Sequence, residues 1–314
     1  MRRALLAAGL AALAGLVALR ATGTERGTLL VLLVGVLPVV LLAAWPLLGL
    51  AVRWRAPGAA LAAAGLVAVQ ALLVAPSLTA APPPPPGGTP LRVVVANLYV
   101  RNPVPVEAAA VLRALEPDVL VVPELDARGR AALQEAGVEQ DLPHVVVESA
   151  GGEAVGLLSR TPLRDVVLRR AGARVLPQAT VDAGGPAVRV HAAHPLPPVG
   201  GLEPLWRAGH ADLARQAAGE DLTLVVAGDL NAGRHHAVFR RLAGTGLRDA
   251  HDERGRPGAG EAAAALPLLH LDHVLVRDGR DGRDGRIGVR EVREVRLPGS
   301  DHLAVVADLV VHPA

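Results

Sequence analysis

Cysteine and lysine are both missing from this 314-residue chain. Without a thiol there is no disulfide framework, no thiolate metal ligand and no cysteine nucleophile, and the redox compartment is left open. All 32 positive side chains are therefore arginine, in a composition dominated by Ala, Gly, Pro, Arg, Val and Leu that reflects coding bias rather than function. A basic excess over the folded part is missing too. The whole chain sets 32 basic against 30 acidic residues, with a pI near 10.1. Six of the arginines but only one acid, Glu25, lie in residues 1–90, which leaves 26 against 29 in residues 91–314, a formal −3. Proteins that track a polyanionic backbone carry a basic groove, so this distribution argues against nucleic acid as the principal partner.

Apolar length, by contrast, is abundant. Mean hydropathy is +0.35 and 51% of residues are hydrophobic. Residues 4–19, 28–52 and 58–80 are nearly uncharged, and a helix needs about 20 apolar residues to cross a hydrocarbon core. The first run is short and follows Met1-Arg2-Arg3, as a signal peptide would. Two further spans follow at once, which favours a retained helix, with cleavage as the competing reading. Arg2, Arg3, Arg53 and Arg55 then flank one side and Arg20 and Arg26 the other, which predicts an inside N-terminus and an outside C-terminal domain. Residues 1–80 are thus read as a membrane region with three transmembrane helices. Residues 81–90, with five consecutive prolines from Pro82 to Pro86, read as a linker spanning only roughly 15 Å over the prolines, which would keep the 91–314 domain close to the headgroups.

Within residues 91–314, strand-like runs at 92–96, 118–122, 144–148, 155–159, 164–168, 187–193, 222–227, 271–276, 289–295 and 303–311 are interleaved with helical stretches at 105–116, 127–137, 203–218 and 236–243. That pattern implies an α/β layered sandwich, and a domain of this size buries such a core. Polar residues recur at the strand ends. Gly228-Asp229-Leu230-Asn231 follows an apolar run, and alternate side chains on a strand share a face, so Asp229 and Asn231 address one point while Leu230 turns into the core. The same residues are also an ordinary way to leave a strand and enter a turn. Asn97 ends Val93-Val94-Val95, Glu124 follows Val121-Val122-Pro123, His194 closes the run from Val188, Asp272 opens Asp272-His273-Val274-Leu275, and Ser300-Asp301-His302 precedes the last strand. Strand rims of this kind are where ligand and catalytic groups gather in layered α/β folds.

In this order and approximate spacing the motifs resemble those of the endonuclease/exonuclease/phosphatase superfamily, which includes DNase I-like nucleases, inositol polyphosphate phosphatases and sphingomyelinases. The resemblance covers about residues 91–314 and implies a four-layer sandwich, two packed sheets with outer helices. It implies a divalent ion, Mg²⁺ or Mn²⁺, at a site drawn from Asn97, Glu124, Asp229, Asn231 and Asp301, in keeping with the preference of hard ions for oxygen. It further implies that His302, oriented by Asp272, serves in acid/base chemistry or phosphate stabilisation. Asp229 would position the attacking water, Asn231 steady the charged pentavalent species, and His194, partnered by Glu153, complete the phosphate clamp. Two departures stand out: Leu230 where an aromatic is common, and Ala304 where many members have proline. The layout of spans followed by an outward domain also looks like VanJ-type members, associated with glycopeptide resistance through lipid-linked cell-wall precursors.

Other residues attract less chemistry. His191 and His194 are three apart on a strand and so face opposite ways, which excludes a shared ion there. His235 and His236 lie near a helix start, where capping is as apt as phosphate contact. Ser300-Asp301-His302 is no serine-protease triad, since three consecutive residues cannot align nucleophile, base and orienter; Gly299 supplies the bend they need. The run Arg277–Arg286 of alternating Arg, Asp and Gly reads as a solvated loop lacking the distal acid of a calcium loop. The leading expectation is a phosphate ester or pyrophosphate hydrolase at the outer membrane face acting on a phosphorylated, lipid-linked substrate, with no protein partner expected. The alternatives are an extracytoplasmic DNase-like nuclease and a non-catalytic binding module.

Overall fold

The structure, a computed structural model, describes residues 1–149, 154–258, 270–280 and 285–313. Two six-stranded mixed sheets make up the C-terminal part. The first runs in the order β11 (Arg286–Arg296), β12 (Leu303–His312), β1 (Thr89–Val95), β2 (Val119–Leu125), β4 (Ala154–Ser159), β3 (His144–Ser149). The second runs β5 (Arg164–Ala171), β6 (Arg174–Asp182), β7 (Ala187–Ala193), β8 (Thr223–Asp229), β10 (Asp272–Arg277), β9 (Arg248–Asp249). Central strands are apolar at nearly every position because both of their faces are covered. Val93, Val95, Val119 and Val121 point into the core shared by the two sheets. Their alternates Val94, Leu120 and Val122 pack in a separate cluster that includes Leu112 of α6 (Pro105–Ala114) and Leu133 of α7 (Ala127–Glu135). On the second sheet Trp206 of α9 (Glu203–Ala218) and Phe239 of α10 (Ala237–Ala243) complete the core. Helix, sheet, sheet, helix are the four layers expected.

The strand β6 has no counterpart in the apolar runs read from the sequence. Pro177 interrupts its pattern, but it pairs with Leu168 of β5 while the pairing to β7 begins at Gln178, so proline sits where only one neighbour is bonded and its missing N–H is tolerated.

The N-terminal region folds as helices α1 (Arg2–Thr22), α2 (Thr28–Gly35), α3 (Leu37–Val40), α4 (Ala44–Arg53) and α5 (Pro57–Val74). Two stretches, Arg2–Thr22 and Pro57–Leu78, are long and apolar enough to cross a membrane, or three if the pair Thr28–Gly35 and Leu37–Arg53 counts as one span. That pair is bent by 78°, so the expected second span is not a straight rod. Pro38 in the first turn of α3 and the helix end at Gly35 account for the break.

α2 docks on the C-terminal domain. Val31 is fully buried in the same core as Val93 and Val225. Thr28 Oγ1 donates to the Pro198 carbonyl at 2.9 Å, and His236 Nε2 lies 3.1 Å from the Val31 carbonyl. Glu25, fully buried, accepts from the Ala237 N–H at 2.9 Å, the first residue of α10. A carboxylate at a helix start is favourable because the first N–H groups lack partners. The linker is strapped down as well. Ala80 bridges to Arg254, the Ala81 N–H donates to Glu253 O at 2.9 Å, and the Arg254 guanidinium reaches the carbonyls of Ala81 and Pro82 at 3.1 and 3.2 Å. The prolines therefore run along the domain surface rather than hanging free. Replacing Val31 by alanine is expected to lower the unfolding free energy of the C-terminal domain by about 2 kcal/mol in detergent, whereas Leu29→Ala, at a side chain 70% exposed, leaves it unchanged. Equal effects of the two on the denaturation midpoint would remove Val31 from that core.

Candidate active site

The inward series of the two sheets end together. Asn97 continues the inward positions Val93 and Val95, Asp229 continues Val225 and Ala227, and Asp272 stands directly opposite Asp229 in the antiparallel register of β10 and β8. Local backbone then aims the groups that the pleat alone would not. The β2–β4 register shifts between Val122 and Leu125, and Glu124 has φ of 53°, so the side chain leaves the strand after Pro123. Gly228 has φ of 149°, and a Cβ there would land on the Ala193 carbonyl of the neighbouring strand β7. Asn231 lies beyond the end of β8 with φ of 49°, and its N–H donates to Asp229 Oδ1 at 2.8 Å. The turn reading and the site reading of this motif are thus both realised: an Asx turn, not strand alternation, places Asn231. Gly299, at φ of 72°, makes the expected bend before Ser300, whose Oγ donates to Asn97 O at 2.8 Å and accepts from the His302 N–H at 3.0 Å.

The side chains converge closely. Asn97 Nδ2 donates to Glu124 Oε1 at 3.0 Å and to Asp229 Oδ2 at 3.2 Å, while its Oδ1 accepts from the Tyr99 N–H at 2.9 Å. Asn97 therefore turns its amide nitrogen, not the oxygen expected of a metal ligand, towards the acids, because the Tyr99 N–H holds the oxygen. His194 Nδ1 lies 3.6 Å from Asp229 Oδ2 and 3.4 Å from the Asp229 carbonyl. Asn231 Nδ2 donates to Pro195 O at 3.0 Å, which leaves its Oδ1 for the site. His302 Nδ1 meets Asp272 Oδ2 at 2.6 Å. Asn97, His194, Asp229, Asp272 and His302 are all buried. Two contributions were not foreseen from the sequence: the Val100 N–H donates to Glu124 Oε2 at 3.3 Å, and Trp206 Nε1 donates to the Asn231 carbonyl at 3.0 Å. A backbone N–H carries no sequence signal, and a lone tryptophan on a helix reads as core.

Burial disfavours the His302 cation, yet the Asp272 carboxylate, with Asp229 and Asp301 beyond it, outweighs that penalty and pushes the imidazole up to about 11. Burial in turn raises Asp272 above the usual carboxylate range, against the pull of His302. A raised histidine stabilises the fold fully below its unfolded value near 6.5 and loses that contribution only as pH rises through about 11.

The residues present fit a hard divalent cation. Glu124, His194 and Asp229 offer ligand atoms within 4.8 Å of one another, and so do Asp229, Asp272 and His302. Asp301 Oδ1 is buried with no hydrogen-bond partner, the state of a carboxylate oxygen that awaits a cation. Other candidates lie elsewhere. Glu153 falls outside the described residues, as does the 281–284 part of the charged loop. His191 faces away, 3.9 Å from Glu220. His236 is held between the Gly233 N–H and the Val31 carbonyl, which makes it a structural bridge to α2.

Residues 94–302 match the Endonuclease/Exonuclease/phosphatase family. The chain belongs to that family. Among solved structures, an endonuclease/exonuclease/phosphatase from Beutenbergia cavernae is similar at 24% identity and TM-score 0.55, over 71% of this chain and 72% of that one. Human Nocturnin's catalytic domain with bound sulfate matches at 18% identity and TM-score 0.56, over 71% and 94%. Humanized D. rerio TDP2 matches at 16% and 0.57, over 70% and 98%. At these identities the likeness shows the fold alone. No curated protein sequence matches. Members of the family are typically metal-dependent phosphoester hydrolases.

Substituting Asp272→Asn removes the carboxylate that holds His302 charged. The His302 ring resonance, followed by NMR across pH 5 to 9, is expected to show no titration in the unaltered protein and a midpoint shifted down by several units in the variant. A flat profile in both would show that Asp272 does not set the charge of His302.

Proposed function

We propose that the protein is a membrane-anchored, divalent-metal-dependent phosphoesterase whose substrate is a lipid-linked phosphate ester or pyrophosphate presented from the bilayer at the outer face. The observation that carries this reading is where the membrane region meets the domain. Thr28 bonds Pro198, four residues after His194, and Val31 bonds His236, five residues after Asn231. The segment joining the apolar helices thus abuts the loops that follow two candidate site residues, which supports a reacting centre beside the membrane. A tethered enzyme arranged this way suits a phosphate whose other end is an acyl or prenyl chain. The formal −3 of residues 91–314 gives a polyanionic nucleic acid little general attraction.

Glu124, Asp229 and Asp301, with the side-chain oxygen of Asn231, would hold Mg²⁺ or Mn²⁺, oxygen-loving ions. When bound, the ion polarises a phosphate oxygen and offsets charge in the transition state. Asn97 fixes the Glu124 and Asp229 carboxylates by donating to both. His302, kept protonated by Asp272, donates a hydrogen bond from Nε2 to a non-bridging phosphate oxygen as negative charge accumulates there. Asp229 accepts a hydrogen bond from the attacking water, and His194 holds the Asp229 side of the phosphate.

The test uses the full chain in detergent micelles with Mg²⁺ or Mn²⁺, comparing phosphate release from a polyprenyl pyrophosphate with cleavage of plasmid DNA. Lipid turnover is expected, falling on the order of 10²- to 10⁴-fold in Asp229→Ala and in His302→Ala. DNA cleavage without lipid turnover, lost in the same variants, would make the protein a tethered nuclease and overturn the proposal.

A further inference from the structure

A second cluster of imidazoles lies on the other face of β10, away from the catalytic cavity. Side chains alternate along a strand, so Asp272 faces the cavity and its neighbour His273 faces the outer layer, where its ring lies 4.7 Å from that of Phe239. His273 meets His270, with ring centroids 4.1 Å apart, and His270 meets His251 of α11 (Ala250–Glu253) at 4.2 Å. Asp249, on the adjoining strand β9, completes the group. Its Oδ2 is 2.6 Å from His273 Nδ1 and its Oδ1 is 3.5 Å from His251 Nδ1.

The hydrogen-bond inventory of these rings is unbalanced. His273 Nε2 lies 3.0 Å from the Ala232 carbonyl, which turns Nδ1 towards Asp249. His251 uses only Nε2, at 3.0 Å from Glu294 Oε1; the residue is fully buried and its Nδ1 has no hydrogen-bond partner. Both ring nitrogens of His270 are likewise buried without a hydrogen bond. Buried ring nitrogens left without a partner are costly, and these lie around the Asp249 carboxylate. A cation bound by one ring nitrogen of His270 would satisfy that nitrogen, since the second nitrogen of the same ring cannot reach the same ion. Asp249, His270 and His273 present ligand atoms within 4.8 Å of one another.

We propose that Asp249, His270 and His273 bind a divalent transition ion of the Zn²⁺ class, with His251 steadying Asp249 through its backbone N–H and its ring. Imidazole selects borderline ions of this kind, whereas the oxygen-rich catalytic cavity selects Mg²⁺ or Mn²⁺. A ring N–H on a ligating carboxylate is the usual way such a ligand is steadied. The site joins α11 to β9 and β10. α11 is also where the chain arrives from the membrane, because Ala81 bonds Glu253 and Ala80 bridges Arg254. The ion therefore pins the point at which the tether enters the domain, and it takes no part in the reaction.

The probe is Co²⁺ added to the chelator-treated full chain in detergent, read by visible absorption. One equivalent is expected to give the strong band of a four-coordinate nitrogen-containing site, displaced by Zn²⁺ and unaffected by millimolar Mg²⁺. The band is expected to persist in the catalytic-site variant Asp229→Asn/Asp301→Asn and to vanish in His270→Gln/His273→Gln. Should the latter fail to fold, the Zn²⁺-sensitive, Mg²⁺-insensitive band in the catalytic-site variant still supports the site. A weak six-coordinate spectrum that Mg²⁺ abolishes, or a band that survives loss of both histidines, would overturn it.

Discussion

Buried negative charge governs the catalytic end of this domain. Asp229 and Asp272 face each other across adjacent strands, both nearly inaccessible to solvent, and like charges so placed repel strongly when water is excluded. His302 answers one of them, at 2.6 Å from Asp272. Asn97 shares its two N–H groups between Glu124 and Asp229, a dipole in place of a charge. With Glu124 and Asp301 added, one imidazolium is too little, and the remaining negative potential is what a divalent cation neutralises. The groups are gathered where strands of both sheets end, and those strands fix them.

The same end is where the apolar N-terminal region makes contact. Val31 joins the inter-sheet core, and Glu25 supplies from a distant segment the acceptor that α10 lacks at its own start, since His236 makes no side-chain capping bond there. A helix whose first N–H is bonded by a residue more than two hundred positions away is bound to that residue's position. α10 follows the Asp229–Asn231 turn, so these contacts tie the apolar N-terminal region to the segment that carries two of the candidate site residues. A short linker alone would set only a distance; these contacts set an orientation.

Much of this was legible in the sequence, for one physical reason. Strands covered on both faces must be apolar throughout, so a polar residue at either end of such a run is conspicuous, and Asn97, His194, Asp229 and Asp272 stand out in that way. What escaped notice depends on contacts between distant segments. Nothing near Val31 announces that it belongs to a different core from Leu37 or Leu41. Pro177 hid β6, because tolerance of proline depends on which neighbour stands beside it. The positive φ of Glu124 and the donor role of Asn97 are fixed by backbone partners that no spacing rule encodes. Glu153, the least direct of the carry-overs, lies where the structure is not described.

His273 and Asp272 are consecutive, yet they serve unlike environments. The strand between them is a partition: one face presents Asp272 to His302 and Asp229, the other presents His273 to Asp249 and His270. Hard oxygen ligands around an accessible cavity favour an ion that keeps water and meets phosphate. Imidazoles packed ring against ring favour an ion that gives up its water and stays. Because the alternation of a strand is rigid, neither group can move without displacing the other. The spacing that sets Asp272 against His302 therefore also sets His273 against Asp249.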